Sequence, residues 1–340
     1  MTVSSAIARQ IVQFAGSYGV EALSLTKPLG ITSSVLDDPD QRITLTQLDQ
    51  LWQLAVSRTH DPYLGLHLGE QFDPNALGVV GYLMQNSPHL GEALQQVLRY
   101  GKLIGDVLDI RLSQKEGGVM ITFVPVPAWQ ILSAVSLRQS VEYDMAFALR
   151  CFQTLTGQPL LPSCVSFAYE AAEPAVYEQT FQCQVRFGQG ENTMVFDPQY
   201  LQLPIVNVHN QLLDTLEQFA QALLRQLTQQ ESTSQRVKQS TIRGIGKETL
   251  TVEQVANELA MSKRTLQRKL REEGSSFQKI TDEVRVALAL NYLREGNLSI
   301  GETAYLTGFS EAAAFHRFFK QQTGQTPQQY QTSGPLPHSQ

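Results

Sequence analysis

The chain has 340 residues, 42% of them hydrophobic and 17% charged. That balance suits an ordinary globular protein and excludes a largely disordered or fibrous one, and at roughly 100–200 residues per domain the length predicts two domains. Its 26 Lys/Arg against 32 Asp/Glu leave a net charge of −6, distributed unevenly: residues 242–332 carry 12 basic and 10 acidic side chains, the remainder 14 and 22. Such an asymmetry hints at a separate nucleic-acid-binding module, provided that the basic residues cluster.

The cysteines Cys151, Cys164 and Cys183 form no CxxC pair. Neither a disulfide framework nor a structural zinc is expected, and reduced thiols fit a cytoplasmic protein. Residues 1–19 lack the unbroken apolar core of a signal peptide, and no window approaches 18 consecutive apolar residues, so no membrane association is expected.

In chain order, helical periodicity runs over residues 5–24, 45–58 and 91–100. In the second of these Leu48, Leu51, Trp52, Leu54 and Ala55 stand at helical spacing. The period then shortens. Val107–Leu112 and Val119–Val124 read as a hairpin across Lys115-Glu116-Gly117-Gly118, and a long helix is expected at about 133–156. Three strand-like runs follow, Ser163–Tyr169, Gln184–Phe187 and Thr193–Phe196. The last two flank Gly188–Asn192 as a second predicted hairpin, and a helix at about 209–229 closes an α+β domain. Eleven of the sixteen residues 226–241 are Gln, Ser or Thr, which predicts a solvated linker or a frayed helix end.

Beyond this stretch no segment reads as a strand. Helical patterns recur at 252–260, 263–273, 276–295, 300–307, 311–322 and 327–331, with breaks at Gly274, Gly296, Gly308 and Gly324. The expected layout is therefore an α+β domain over 1–228, a linker over 229–241, an all-α domain over 242–332 and a disordered tail over 333–340.

The all-α part carries the functional signal. Thr251 with Gln254 forms a capping box, and Val255 and Leu259 give the helix an apolar side. After the break at Ala260-Met261, Ser262 caps a second helix whose Leu266 and Leu270 face inward. Two short helices joined by a tight break make a helix-turn-helix. Lys263, Arg264, Gln267, Arg268 and Arg271 then fall on the outer arc of the second helix, with no acid before Glu272. Such a face suits phosphate neutralisation and base-edge reading, although a merely solvated basic face has the same composition. The rhythm recurs. Ser299 caps Ile300–Thr307, Gly308-Phe309 breaks the chain, and Phe315 and Phe319 stand where Leu266 and Leu270 stood, 49 residues on. Two tandem units on a helical spacer can address successive major-groove faces about 34 Å apart.

These residues resemble the AraC/XylS family of transcription regulators. The likeness rests on Gly308-Phe309-Ser310, on Phe315-His316-Arg317-Phe318-Phe319-Lys320, on Thr323-Gly324-Gln325-Thr326-Pro327 with Tyr330, on Thr265–Leu270 and on Asp282–Arg285. Leu64–Gly69, Gly78–Tyr82, Gly91–Leu94 and Cys183–Gly188 resemble the large effector domain of the branch that includes ornithine-utilisation-type and virulence-type regulators. The resemblance implies DNA contacts from Lys263, Arg264, Thr265, Gln267, Arg268 and Arg271 in the first unit, and from Ala313, His316, Arg317 and Lys320 in the second. It further implies double-stranded promoter DNA, RNA polymerase and an unidentified small-molecule effector as partners, with homodimerisation through residues 1–228 and promoter activation, repression being the alternative. Gln331 stands where the family usually has a basic residue, and Ala312-Ala313-Ala314 replaces larger polar ones. Most base discrimination is therefore expected from the first unit.

No cofactor or metal is expected. His67 and His209 read as structural, Asp37-Asp38-Pro39-Asp40 as a solvated turn, and the glycines lack phosphate-loop spacing. No catalytic arrangement is compelling, so the chain reads as a non-enzyme. Two alternatives are an enzyme or small-molecule carrier with an attached helical domain, its pocket lined by Tyr82, Trp129 and Phe167, and a nucleoid-type binder without sequence preference, which the net acidity disfavours.

Overall fold

The computed structural model describes the chain except residues 39–40, 72–76, 116–117, 207–211, 231, 246–249, 296–297 and 334–340. His209, Gly296, the end of the acidic turn, the middle of the first hairpin's turn and nearly all of the expected tail therefore lie outside the described residues. The chain divides into two units, Met1–Val126 with Ala134–Gln229, and Pro127–Ser133 with Gln230–Gln340.

The first unit opens with a strand missing from the sequence expectation, β1 (Thr2–Ser4). It pairs antiparallel with β2 (Arg42–Thr44) through the Val3–Ile43 register. Strands of three residues are too short to show an alternation. Helix α1 (Ser5–Ser17) starts at the Ser4 cap and stops well before residue 24, because Gly19 turns left-handed at φ 79°. Short α2 (Ala22–Thr26) and α3 (Ser33–Asp37) follow. Helix α4 (Leu45–Thr59) begins in a Thr44/Gln47 capping box and buries Leu48, Leu51, Trp52 and Ala55 of the expected set, with Leu54 half-buried beside them.

Helix α5 (Leu64–Gly69) lies against α8 (Ala134–Thr156), and glycine permits the approach. A Cβ on Gly65 would collide with the Gln139 carbonyl, and one on Gly69 would sit 2.7 Å from the Tyr143 carbonyl oxygen. Helices α6 (Val79–Gln85) and α7 (Leu90–Tyr100) precede the sheet. Strands β3 (Leu108–Lys115) and β4 (Gly118–Pro125) form the expected hairpin.

The second hairpin does not form. With β5 (Cys164–Ser166), α9 (Pro174–Phe181), β6 (Val185–Arg186) and β7 (Asn192–Phe196), the sheet order is β3-β4-β7-β5-β6. Strand β5 inserts between the two runs, antiparallel to β7 and parallel to β6. The Gly188–Asn192 turn signal is local, whereas Val165, Val185 and Met194 compete for one buried face and fix the pairing. Helix α10 (Leu213–Gln230) ends the unit.

The expected linker over 229–241 is corrected by α11 (Thr233–Gly244). Ser232 and Gln235 form a capping box, Val237 and Ile242 are buried, and the backbone N–H groups of Thr233 and Ser234 each donate to Glu273 at 2.7 Å. Two apolar anchors and a satisfied N-terminus suffice to fold a polar stretch onto a neighbour. Helices α12 (Val252–Glu258), α13 (Lys263–Glu272), α14 (Phe277–Glu295), α15 (Ile300–Leu306), α16 (Ala312–Thr323) and α17 (Pro327–Ser333) complete the unit. Their side chains build two cores. Val237, Val255, Ala256, Leu259, Leu266, Leu270 and Ile280 form one; Ala289, Leu293, Ala304, Phe315, Phe319 and Tyr330 form the other. Helix α14 supplies Ile280 to the first and Ala289 and Leu293 to the second.

Candidate nucleic-acid interface

The two helix-turn-helix units are assembled from repeated local devices. Thr251 with Gln254 and Ser299 with Glu302 are reciprocal capping boxes that start α12 and α15. Each first helix ends in a left-handed residue, Ala260 at φ 54° and Gly308 at φ 82°. The chain then folds back, with Met261 N–H donating to the Ala256 carbonyl at 2.8 Å and Phe309 N–H to the Ala304 carbonyl at 3.0 Å. The turns repeat at a spacing of 48 residues and the recognition helices at 49, so the second turn is one residue longer, with Ser310 between Phe309 and Glu311. Glu311 takes the N-cap of α16 without a side-chain hydrogen bond, whereas Ser262 caps α13 by accepting from Thr265 N–H at 3.1 Å.

On α13, Leu266 and Leu270 are fully buried, and Lys263, Arg264, Gln267, Arg268 and Arg271 are exposed. The sequence-derived basic arc is thus brought to one open surface. Lys263 Nζ lies 2.6 Å from Glu253, which holds that carboxyl below its ordinary value, and Arg268 Nη1 lies 2.6 Å from Glu272. Exposed pairs of this kind add little stability, so they leave both cations available to phosphate. Thr265 is half-buried, its hydroxyl 2.8 Å from that of Ser262, so its hydrogen-bonding capacity is partly used by the cap.

On α16, Phe315 and Phe319 are buried, while Ala313, Arg317 and Lys320 are exposed and His316 is half-buried. The opposite side is aromatic: Phe319 meets Phe315 at 5.7 Å and Tyr330 at 5.9 Å between ring centroids, and Phe309 meets Phe318 at 5.1 Å. Pro327 is the first residue of α17 behind a Thr326/Gln329 box, as the missing N–H of proline favours.

Arg285 does more than its place in a motif suggests. Its guanidinium carbon stands 4.8 Å from the Phe309 ring centre, with Nη2 3.5 Å from the Gly308 carbonyl, so α14 grips the second turn directly. A lone mid-helix arginine carries no sequence signal for that role. Glu258, which pairs with Arg243 at 2.7 Å and accepts from Ser240, and Glu273 are further residues whose partners are remote in sequence.

Among the described residues, no three His, Cys, Asp or Glu side chains converge as a metal site, and no helix is long and apolar enough to cross a membrane. The pocket of the rival reading does not assemble in the first unit. Tyr82 is exposed on α6 and Phe167 is fully buried among aromatic rings, while Trp129 groups with the second unit.

Two family profiles match the chain. Residues 19–205 match the N-terminal arabinose-binding domain of AraC transcription regulators, and residues 255–333 match a helix-turn-helix domain. The ornithine utilization regulator of Pseudomonas aeruginosa is 31% identical over 332 residues, 96% of each chain. The transcriptional regulator VirS of Mycobacterium tuberculosis is 24% identical over 325 residues, 93% of this chain and 92% of its own. The crystal structure of the transcriptional regulator CdpR from Pseudomonas aeruginosa covers 90% of this chain and 97% of its own, at 22% identity and a TM-score of 0.45. With the first profile spanning more than half of the chain and a relative 31% identical along nearly all of it, the chain belongs to the AraC family of transcription regulators, DNA-binding proteins with an N-terminal effector-binding domain.

Proposed function

We propose that this regulator reads DNA mainly through α13. Arg264, Gln267 and Arg268 face base edges, while Lys263, Thr265 and Arg271 approach the backbone. Arginine bonds guanine O6 and N7 in pairs and glutamine does the same with adenine N6 and N7, so the arc carries the right donors for major-groove reading. Helix α16 adds Ala313 against thymine methyls, His316 and Arg317 toward bases, and Lys320 toward a phosphate. The observation that carries this reading is a capped helix with two buried leucines and five exposed donor-bearing side chains on its other side.

Residues 1–228 sense a small molecule and pair two copies. Leu212, just before α10, and Phe219 within it are both exposed and offer apolar surface for such pairing. The dimer activates nearby promoters in the cytoplasm by recruiting RNA polymerase, and the chain catalyses no reaction. In the test, the full chain selects duplexes from a random-sequence pool and is then titrated against the winner and a scrambled control at several salt concentrations. Enrichment of one motif, with log affinity falling by about 0.9 per phosphate neutralised for each unit of log salt, supports the reading. No enrichment, or equal affinity for both duplexes, overturns it.

A further inference from the structure

In the first unit, far along the sequence from any DNA-reading residue, the guanidinium of Arg138 on α8 is surrounded by aromatic rings. Its central carbon lies 5.4 Å from the Tyr63 ring centre, 5.4 Å from that of Tyr169 and 5.9 Å from that of Tyr177. At the floor is Glu142, one helical turn on and completely buried. Its Oε1 accepts from Arg138 Nε at 2.8 Å, from the Tyr169 hydroxyl at 3.1 Å and from the Tyr177 hydroxyl, which in turn accepts from Arg138 Nη2 at 2.6 Å. The other oxygen, Oε2, is buried with no partner.

Three tyrosine faces around a cation, closed by a carboxylate, form the chemistry that recognises guanidinium and alkylammonium groups. The occupant supplied by the chain fits incompletely. A guanidinium that meets a carboxylate side-on donates two parallel bonds, one to each oxygen; here Nε alone reaches Oε1 and Oε2 goes without. An unsatisfied buried oxygen is costly, so a better-seated cation has something to gain. Arg138 also sits at the rim, with its side chain 27% exposed, and its long stem can carry the head group out into water.

We infer that this cage is the cation subsite of the effector-binding domain, and that Arg138 fills it until a ligand with a guanidinium or primary ammonium group takes its place. The inference deepens the reading of the first unit as a small-molecule sensor and rests on it. Arg138 acts as a tethered competitor, so a ligand is weakened by the fraction of molecules whose cage is already filled and must compensate through contacts made by the rest of its structure.

The test uses the full chain and four probes at constant ionic strength: methylguanidinium, L-arginine, cadaverine and, as the anionic control, glutarate. Calorimetry and the thermal midpoint report binding. The cations should raise the midpoint of the unaltered protein and glutarate should not. Arg138→Ala should bind methylguanidinium at least about tenfold more tightly, because the competitor is gone. Tyr177→Phe, which keeps the ring and loses the hydroxyl, should weaken the cations about tenfold, and Glu142→Gln should weaken them further. Should Glu142→Gln fail to fold, Tyr177→Phe carries the comparison. If methylguanidinium stabilises only Arg138→Ala and no cation stabilises the unaltered protein, the cage is an internal structural pair and the inference is overturned; stabilisation by glutarate alone overturns it equally. Motif selection and salt titration on the same preparation separate the two readings: intact DNA recognition without cation binding removes this inference alone, and failed DNA recognition removes the regulator reading whatever the cage does.

Discussion

The two helix-turn-helix units share a frame and build it from different side chains. The first packs aliphatic side chains, Val255, Leu259, Leu266 and Leu270, and presents five donor-bearing residues outward. The second packs rings, Phe315, Phe319 and Tyr330, behind a face that opens with three alanines. A serine caps the first recognition helix with its side chain; the second starts at Glu311 uncapped and is held by the aromatic core and by Arg285 below the turn. A duplicated scaffold can thus keep its geometry with two different core chemistries, and under the proposed function the first copy reads bases while the second anchors.

The largest effects should come from breaking the cores. Phe319→Ala should cost roughly 3–5 kcal/mol and Leu270→Ala roughly 2–5, with the phenylalanine change the greater because it strips contacts from both Phe315 and Tyr330. Chemical denaturation of the two variants decides this, and a cost below about 1 kcal/mol for Phe319→Ala would contradict its place at the centre of the second core.

Specificity should divide the units next. Arg268→Ala should lose about 1–3 kcal/mol of discrimination between the selected and scrambled duplex, and Arg317→Ala less, since α16 has few donors to support it. Paired gel-shift titrations at one fixed salt concentration rank them. A larger loss for Arg317→Ala reverses the assignment of roles.

The turns offer a smaller contrast. Ala260 holds φ 54° with a side chain, whereas Gly308 holds φ 82° without one, and a Cβ there would come to 3.4 Å from Ile245 and 3.6 Å from Arg285. Gly308→Ala should destabilise by about 1–2 kcal/mol and Ala260→Gly should stabilise by less than about 1, as measured by thermal midpoints. No cost for Gly308→Ala, or a loss of stability in Ala260→Gly, would mean that the left-handed backbone does not set the response of these turns.

The smallest effect concerns acid. Lys263 depresses the Glu253 carboxyl, and the Ser299 hydroxyl and backbone amide depress that of Glu302, each below the ordinary 4.5. A lowered folded value adds stability above the unfolded pKa, and that stability is lost as pH falls through the lowered value. Melting curves between about pH 5 and 3 should therefore drop less steeply in Glu253→Gln and in Glu302→Gln, the two units behaving alike here. An unchanged slope in either variant would detach that carboxylate from its cap or pair.

How much of this was legible in the sequence follows from how local each signal is. The helices of the second unit announce themselves through Thr251/Gln254, Ser262, Ser299/Glu302 and the apolar spacing of Leu266, Leu270, Phe315 and Phe319. The basic arc of α13 is equally local, and its residues fall on the surface that their spacing requires. Helix α11 was hidden because only Val237 and Ile242 mark its buried side and because its N-terminus is satisfied by Glu273, 40 residues away. The β6–β7 hairpin was misread for the converse reason: a good turn signal loses to a strand that arrives from elsewhere. The Arg138 cage draws on Tyr63, Tyr169 and Tyr177, which no spacing rule connects. Sequence reasoning thus recovers what a single turn or one helix face encodes, and misses what the sheet and the packed interior bring together.

Helix α14 gives Ile280 to one core and Ala289 and Leu293 to the other, and this makes it a ruler. Each residue of helix advances about 1.5 Å and rotates about 100°, so a single insertion between Val284 and Leu288 would turn the second unit away from the groove that the first one faces. Under the proposed function, the chain can therefore change which bases it prefers by surface substitution, one side chain at a time, while the number of base pairs between its two contacts is locked into a length that both cores must accept. Half-site spacing should accordingly drift far more slowly among descendants of this protein than half-site sequence.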